Sequence, residues 1–245
     1  MRIATWNLQR PATASSGRVA RLREWIGRIN ADVWVLTETH EGISPGDEFR
    51  AVATSGSDRQ QSPGERWTMI WSRLPIVGVE TTCDPIRTAC ARIAAAEGPA
   101  MLVYGTVLPW RSDRRWLPAA GGAAFVQVLA EQASDWRRLR EKYPDDRLCI
   151  AGDFNQELGD RTLAGTAPGR TELRRALEAA ALDCLTGDEA DPVAQLTQDE
   201  RSNIDHICVD ARAADGPEFK VGAWPARVDE LRTLSDHFGV WVDVG

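Results

Sequence analysis

The sequence predicts a sheet-rich α/β sandwich, and three observations predict it. Apolar runs of strand length outnumber helical patterns, and several of them join through short turns. The chain has 245 residues, 43% of them hydrophobic, which is enough for one large core. A strictly alternating doubly wound fold would need a helix after nearly every strand, and the patterning does not supply them. No repeat, low-complexity tract or linker divides the sequence, so residues 1–245 read as a single domain.

In chain order, Met1–Trp6 reads as a first strand with Asn7 at its end. Val19, Leu22, Ile26 and Ile29 recur at three- and four-residue spacing, one apolar face of a helix. Val33–Leu36 is a buried strand that ends in Thr37-Glu38-Thr39. The Gly-, Ser- and Pro-rich stretch 42–64 reads as largely loop. Trp67–Trp71 and Ile76–Val79 read as a hairpin around Ser72-Arg73-Leu74-Pro75, and Arg92–Ala94 and Met101–Val107 as further strands. After a loop over 109–122, Phe125, Val128, Leu129, Gln132, Trp136 and Leu139 mark a second amphipathic helix that ends near Pro144. Leu148–Ala151 is a central strand, and Leu173, Ala176, Leu177 and Ala180 mark a third helix. A polar stretch over 186–201 leads to the strand Ile204–Val209. A weak strand Val221–Ala223 and a final one, Phe238–Val244, close the sequence.

The net charge of −7, from 29 basic and 36 acidic residues, argues against a surface that coats nucleic acid and leaves room for a local basic groove. Nearly all the positive charge is arginine, whose planar fork suits phosphate and carboxylate; the lysines are Lys142 and Lys220. Five scattered cysteines without a CxxC pair read as reduced core thiols rather than disulfides or a zinc site. Most of the ten tryptophans read as core or loop anchors. No apolar run is long enough to span a bilayer, and Met1–Trp6 carries no signal-peptide pattern. The simplest expectation is a cytoplasmic monomer with no membrane partner.

Chemistry gathers at the strand ends. In Gly152-Asp153-Phe154-Asn155 an apolar run stops at a glycine, and a carboxylate and an amide follow two positions apart. If the backbone stays extended, both point to one side. There Asp153 can orient or deprotonate a water, and Asn155 can donate to a phosphoryl oxygen without repelling it. A simple Asx turn explains the pair when it is taken alone. Four further polar clusters at strand ends favour a site. Glu38 ends a buried strand, where a carboxylate is costly unless compensated by a divalent cation or an arginine. Asn7 follows a strand, where a turn residue is the commoner case. Asp205 and His206 interrupt an apolar strand and face opposite sides. Asp236 and His237 precede the last strand. Histidine titrates near neutrality, and a carboxylate behind it fixes its tautomer and raises its basicity. In Trp110-Arg111-Ser112-Asp113-Arg114-Arg115-Trp116, Arg111, Arg114 and Arg115 with Trp110 form either a grip on a phosphate and a ring or a polar loop anchored by aromatics.

Trp6-Asn7, Leu36-Thr37-Glu38-Thr39, Gly152-Asp153-Phe154-Asn155, Ile204-Asp205-His206-Ile207 and Ser235-Asp236-His237 together resemble, in order, the motifs of the endonuclease/exonuclease/phosphatase superfamily of DNase I-like and exonuclease III-like enzymes. The resemblance implies a four-layer αββα sandwich of two packed mixed sheets flanked by helices. It also implies Mg²⁺- or Mn²⁺-dependent hydrolysis of phosphate esters. Asn7, Glu38 and Asp236 would sit at the metal, Asp153 would activate the water, and Asn155 would hold a phosphoryl oxygen. His237, backed by Asp205, would be donor or base. Two positions depart from the pattern: Val107 stands where relatives often have His or Tyr, and Asn203 where they often have Arg. The reading is a phosphoesterase, with nuclease-like diester cleavage favoured and nucleic acid among the substrates. The alternatives are a phosphatase or phosphodiesterase for a small or lipid-linked phosphate, and a phosphate-binding module without turnover.

Overall fold

Alternation along the strands decides the architecture. In Val33-Trp34-Val35-Leu36 every side chain is buried, so the strand has a core on both faces. Val33 and Val35 face one core together with Ile3, Ile70, Ala91, Val103, Ala151 and Ile207. Trp34 and Leu36 face another together with Trp6, Leu22 and Ile26.

The computed structural model describes residues 1–12, 16–56, 61–95, 97–110, 123–159, 163–210, 219–225, 227–231 and 233–244. The elements are β1 (Arg2–Asn7), α1 (Ser16–Ile29), β2 (Val33–His40), β3 (Arg50–Ala53), β4 (Glu65–Ser72), β5 (Ile76–Glu80), β6 (Thr88–Ile93), β7 (Met101–Val107) and α2 (Ala123–Lys142). They continue with β8 (Arg147–Asp153), α3 (Ala167–Ala179), β9 (Leu182–Cys184), α4 (Pro192–Leu196), β10 (Asp205–Asp210), β11 (Lys220–Trp224), α5 (Val228–Leu231) and β12 (Gly239–Asp243). Two six-stranded sheets run in the orders β11-β12-β1-β2-β4-β3 and β5-β6-β7-β8-β10-β9. Their inner faces share the aliphatic core around Val35 and Val103. The outer face of the first sheet packs against α1 through Leu22 and Ile26. That of the second packs against α2 and α3 through Phe125, Leu129, Trp136 and Leu173. This is the αββα sandwich that the sequence implies. None of the helices of the described residues is long and apolar enough to cross a membrane.

Each sheet contains one parallel pair, β1 with β2 and β7 with β8, and every other pairing is antiparallel. The parallel pairs are crossovers through α1 and α2, the connection that parallel strands require. Such a pair ends its two strands at the same edge. Asn7 and Val107 therefore lie at the same kind of edge as the ends of β2 and β8. The first strand is held between the second and the last: β1 pairs with β12 on its other side, and the Met1 ammonium donates to the Val244 carbonyl at 2.7 Å.

One local expectation is corrected. Trp67–Trp71 and Ile76–Val79 do not form a hairpin, because β4 pairs with β2 and β3 while β5 pairs with β6 in the other sheet. The turn between them, with Ser72 Oγ accepting from Leu74 N at 3.0 Å, carries the chain from one sheet to the other. Among the described residues the stretch 42–64 is largely loop, with the four-residue edge strand β3 within it, and the polar stretch 186–201 contains α4, capped by Asp191, whose carboxylate accepts from Val193 N and Ala194 N. Of the cysteines, Cys90, Cys149 and Cys208 are buried thiols, whereas Cys83 is exposed; all five are free. Trp6, Trp34, Trp136 and Trp224 are fully buried anchors, with Trp224 edge-on to both Trp6 and Trp34.

Candidate active site

The strand ends converge because backbone bonds between them leave few alternatives. At the end of β8 Gly152 adopts φ +137°, and a Cβ there would lie 2.0 Å from the Thr106 carbonyl oxygen of neighbouring β7. Only glycine allows that approach. Asp153 follows, directly opposite Asp205 in the β8–β10 register, so two carboxylates face each other across adjacent strands. Leu108 N donates to the Asp153 carbonyl and Phe154 N to the Ile204 carbonyl, both at 2.8 Å, which fixes the loop after β8 against two neighbours.

Asp153 is buried and held by three donors. Asn155 N donates to its Oδ1 at 2.8 Å, and Asn155 Nδ2 and Asn7 Nδ2 donate to its Oδ2 at 3.0 and 2.9 Å. Asn7 also donates to Glu38 Oε1 at 3.3 Å, and its own Oδ1 accepts from Gln9 N at 2.8 Å. One amide thus ties the carboxylates of β2 and β8 together. The second Nδ2 hydrogen of Asn155 goes to the Leu108 carbonyl at 2.9 Å. In this arrangement both amides spend their hydrogens on the protein itself, since each NH₂ has only two to give.

His237 Nδ1 lies 2.6 Å from Asp205 Oδ2, and its Nε2 lies 3.8 Å from Asp236 Oδ1. The ring is positioned from three directions. Its backbone N donates to Ser235 Oγ at 3.1 Å, that hydroxyl donates to the Asn7 carbonyl at 2.6 Å, and the Trp6 indole donates to the His237 carbonyl at 2.9 Å. Burial works against charge on His237, but Asp205, Asp153 and Asp236 outweigh it and push its pKa up to about 10. The Asp153 pKa is raised as well, which for a carboxylate favours the neutral form. Burial foremost, then the like charges of Asp205 and Glu38, push it up to about 7 against the pull of His237.

Glu38, Asp153, Asn155, Asp236 and His237 line one cavity of about 250 Å³ together with Trp67, Arg87, Val107 and Trp110. Asn7 and Asp205 stand directly behind them. Ligand atoms of Asp153, Asp205 and His237 lie within 4.8 Å of one another. Val107 forms part of the wall and brings no donor to it. Asn203 is buried and bonds the Thr186 and Asp205 carbonyls and Asp205 N, so it shapes the start of β10. His206 points away from Asp205, as alternation requires. It packs against Phe154 and lies 2.9 Å from the Gln156 carbonyl. Trp110 is half exposed at the cavity mouth, while Arg111, Arg114 and Arg115 lie outside the described residues.

Sequence reasoning missed two arginines. Arg10, three residues past Asn7, sets its Nε 3.4 Å from Glu38 Oε2 and its guanidinium 4.3 Å from the Trp67 ring centre. Arg18, on α1, donates to the Leu234 carbonyl at 2.7 Å and the Leu8 carbonyl at 2.6 Å, so it clamps the loop after β1 to the segment before β12. Burial pulls its pKa down, with Asp236 opposing.

Comparison with known proteins places the family and the fold. The family described as "Endonuclease/Exonuclease/phosphatase family" matches residues 4–237. No curated protein matches the chain significantly. Among solved structures, a 3′-5′ exonuclease (NExo) from Neisseria meningitidis is similar over 100% of this chain and 99% of its own, at 19% identity and a TM-score of 0.70. The AP endonuclease LMAP from Leishmania major is similar over 98% of this chain and 86% of its own, at 14% identity and a TM-score of 0.70. TDP2 from D. rerio, complexed with a single-strand DNA product, is similar over 99% and 97%, at 16% identity and a TM-score of 0.66. At these identities the likeness is one of fold. The family match reaches from Ala4 in β1 to His237 before β12, and the chain belongs to the endonuclease/exonuclease/phosphatase family.

Proposed function

We propose that the protein is a divalent-metal-dependent phosphoesterase, using Mg²⁺ or Mn²⁺, that cleaves phosphodiesters in preference to monoesters in a nuclease-like reaction. The observation that carries this reading is the Asp205–His237 pair, 2.6 Å apart, whose histidine lines one cavity with Asp153.

The donors fit a hard cation. Carboxylates of Glu38 and Asp236 reach the cavity wall, and oxygen donors suit Mg²⁺ and Mn²⁺. The crowding that pushes Asp153 up, and the guanidinium already beside Glu38, mark a place where positive charge is favoured. Glu38 and Asp236 would hold the ion, with Asn7 fixing Glu38 from behind. When bound, the ion supplies polarisation of the phosphoryl group and neutralises charge developing on it.

The chain's own residues do the rest. His237, charged at neutral pH and tied through Nδ1 to Asp205, offers Nε2–H to a phosphoryl oxygen. Asp153, fixed by Asn7 and Asn155, orients a water and takes its proton. A carboxylate titrating near 7 is well matched to that task. Asn155 and Asn7 act as positioning residues in this scheme, because their amide hydrogens are committed to Asp153, Glu38 and Leu108. Trp110, with Arg111, Arg114 and Arg115, would contribute substrate binding rather than chemistry.

The test is an activity panel with Mg²⁺ or Mn²⁺. It includes bis-p-nitrophenyl phosphate, p-nitrophenyl phosphate, abasic and single-stranded DNA, RNA, and sugar and lipid phosphates. Metal-dependent diester turnover is the expected outcome. Preferential monoester turnover would overturn the diester preference, and no turnover on any class would leave a binding module.

A further inference from the structure

We infer that Arg10 is a substrate-binding cation whose pairing with Glu38 competes with the divalent ion. Displaced from Glu38, its guanidinium meets the substrate's phosphate from the Trp67 side of the cavity. The inference rests on the reading of Glu38 as a metal ligand.

Four observations carry it. Gln9 and Arg10 take φ of 51° and 45°, and Glu38 takes 43°, a left-handed backbone that side chains other than glycine rarely adopt. Arg10 N donates to the Glu38 carbonyl at 2.8 Å, so the two residues are fastened backbone to backbone. The guanidinium lies over Trp67 with its Nε 3.4 Å from Glu38 Oε2, both side chains being about one-quarter exposed, 27% and 24%. Trp67 is itself part of the cavity wall, as is Val107, which offers phosphate no donor.

A guanidinium and a divalent cation cannot share one carboxylate edge without strong like-charge repulsion. A guanidinium stacked on an indole keeps its plane while its N–H edge changes partner, which an ammonium cannot do. The backbone bond and the Trp67 ring therefore hold Arg10 at the site when Glu38 turns to the ion. A phosphate bound in the cavity lined by Glu38 and Trp67 is then a charged acceptor for the guanidinium.

Arg10→Gln and Arg10→Lys test this, with Glu38→Gln as control and thermal unfolding to establish that each is folded. Mn²⁺ is titrated calorimetrically into metal-free protein, and inorganic phosphate into Mn²⁺-saturated protein. Arg10→Gln should bind Mn²⁺ about fivefold more tightly, as expected for releasing a partly exposed ion pair. It should bind phosphate about tenfold more weakly, as expected for losing a charge-assisted contact. Arg10→Lys should fall between wild type and Arg10→Gln in both, and it carries the test should Arg10→Gln fail to fold. A folded Arg10→Gln with wild-type Mn²⁺ affinity, or with wild-type phosphate affinity, would overturn the inference. If Glu38→Gln weakens Mn²⁺ binding in the same series, the metal reading stands and only the role of Arg10 falls. If Glu38→Gln also leaves Mn²⁺ affinity unchanged, the metal reading itself fails.

Discussion

His237 Nδ1 and Asp205 Oδ2 are 2.6 Å apart although 32 residues separate them, and the bond fixes which ring nitrogen is left to face the cavity. His237→Ala should therefore lower kcat by about 10²-fold or more, the usual scale for a group that donates or transfers a proton. Asp205→Asn should lower it less, because the imidazole remains but loses its fixed orientation. Steady-state kinetics on the best diester, with thermal unfolding as control, measures both. Folded His237→Ala with wild-type kcat would remove His237 from the reaction.

The same pair has a pH signature in stability. The folded pKa of His237, about 10, exceeds the ordinary value of 6.5, so between those pH values the native state holds a proton that the unfolded chain releases. The associated stabilisation is full below about pH 6.5 and is lost as pH rises through about 10. Metal-free wild type should lose Tm across that window more steeply than metal-free His237→Gln. Parallel Tm curves for the two proteins would contradict the raised pKa.

Glu38→Gln keeps the shape of the side chain and removes its charge. Its Mn²⁺ affinity should fall by at least about tenfold, as the loss of a carboxylate ligand from a site of few protein ligands implies. Calorimetric titration decides it.

Arg18→Met should lower stability by about 1–3 kcal/mol, since carbonyls of Leu8 and Leu234 lose a charged donor. It should also lower kcat/KM, because the loop after Asn7 and the segment before His237 lose their clamp. Denaturant unfolding and kinetics read the two effects separately. A stability loss without any kinetic change would confine Arg18 to the scaffold.

Gly152→Ala should cost about 3 kcal/mol or more, combining a disfavoured φ with a methyl driven into the Thr106 carbonyl. Urea unfolding checks it, and a loss under 1 kcal/mol, roughly the ordinary surface value, would mean that β7 moves aside.

Residues such as Glu38, Asp153 and His237 could be picked out in the sequence because each breaks an apolar run at its end, where burial makes a polar side chain conspicuous. The helices over Leu22 and Leu129 were legible from spacing alone. The crossing from β4 to β5 was not, because Ser72-Arg73-Leu74-Pro75 serves equally to turn back within a sheet or to step across to another. Nor was β3, four residues long and set among glycines and serines, where neither alternation nor composition has room to register. Arg10 and Arg18 were missed for a different reason. A guanidinium acts at the end of a long stem, and its partners, Glu38 for one and the Leu8 and Leu234 carbonyls for the other, are set by the fold rather than by neighbouring residues. In a chain whose cations are nearly all arginine, nothing local singles those two out.

The place of β1 between β2 and β12 has a consequence for the chain as it is made. The ribosome releases Asn7 well before Ser235, which bonds the Asn7 carbonyl 228 residues away, and before His237. At about 5–20 residues per second, β1 waits roughly 10–50 seconds for its second neighbour. During that interval one edge of the first sheet stays open, and the nascent protein holds acidic groups without the histidine they are built to charge. The cavity is therefore closed only after the segment around Ser235 and His237 has emerged and β12 has docked on β1.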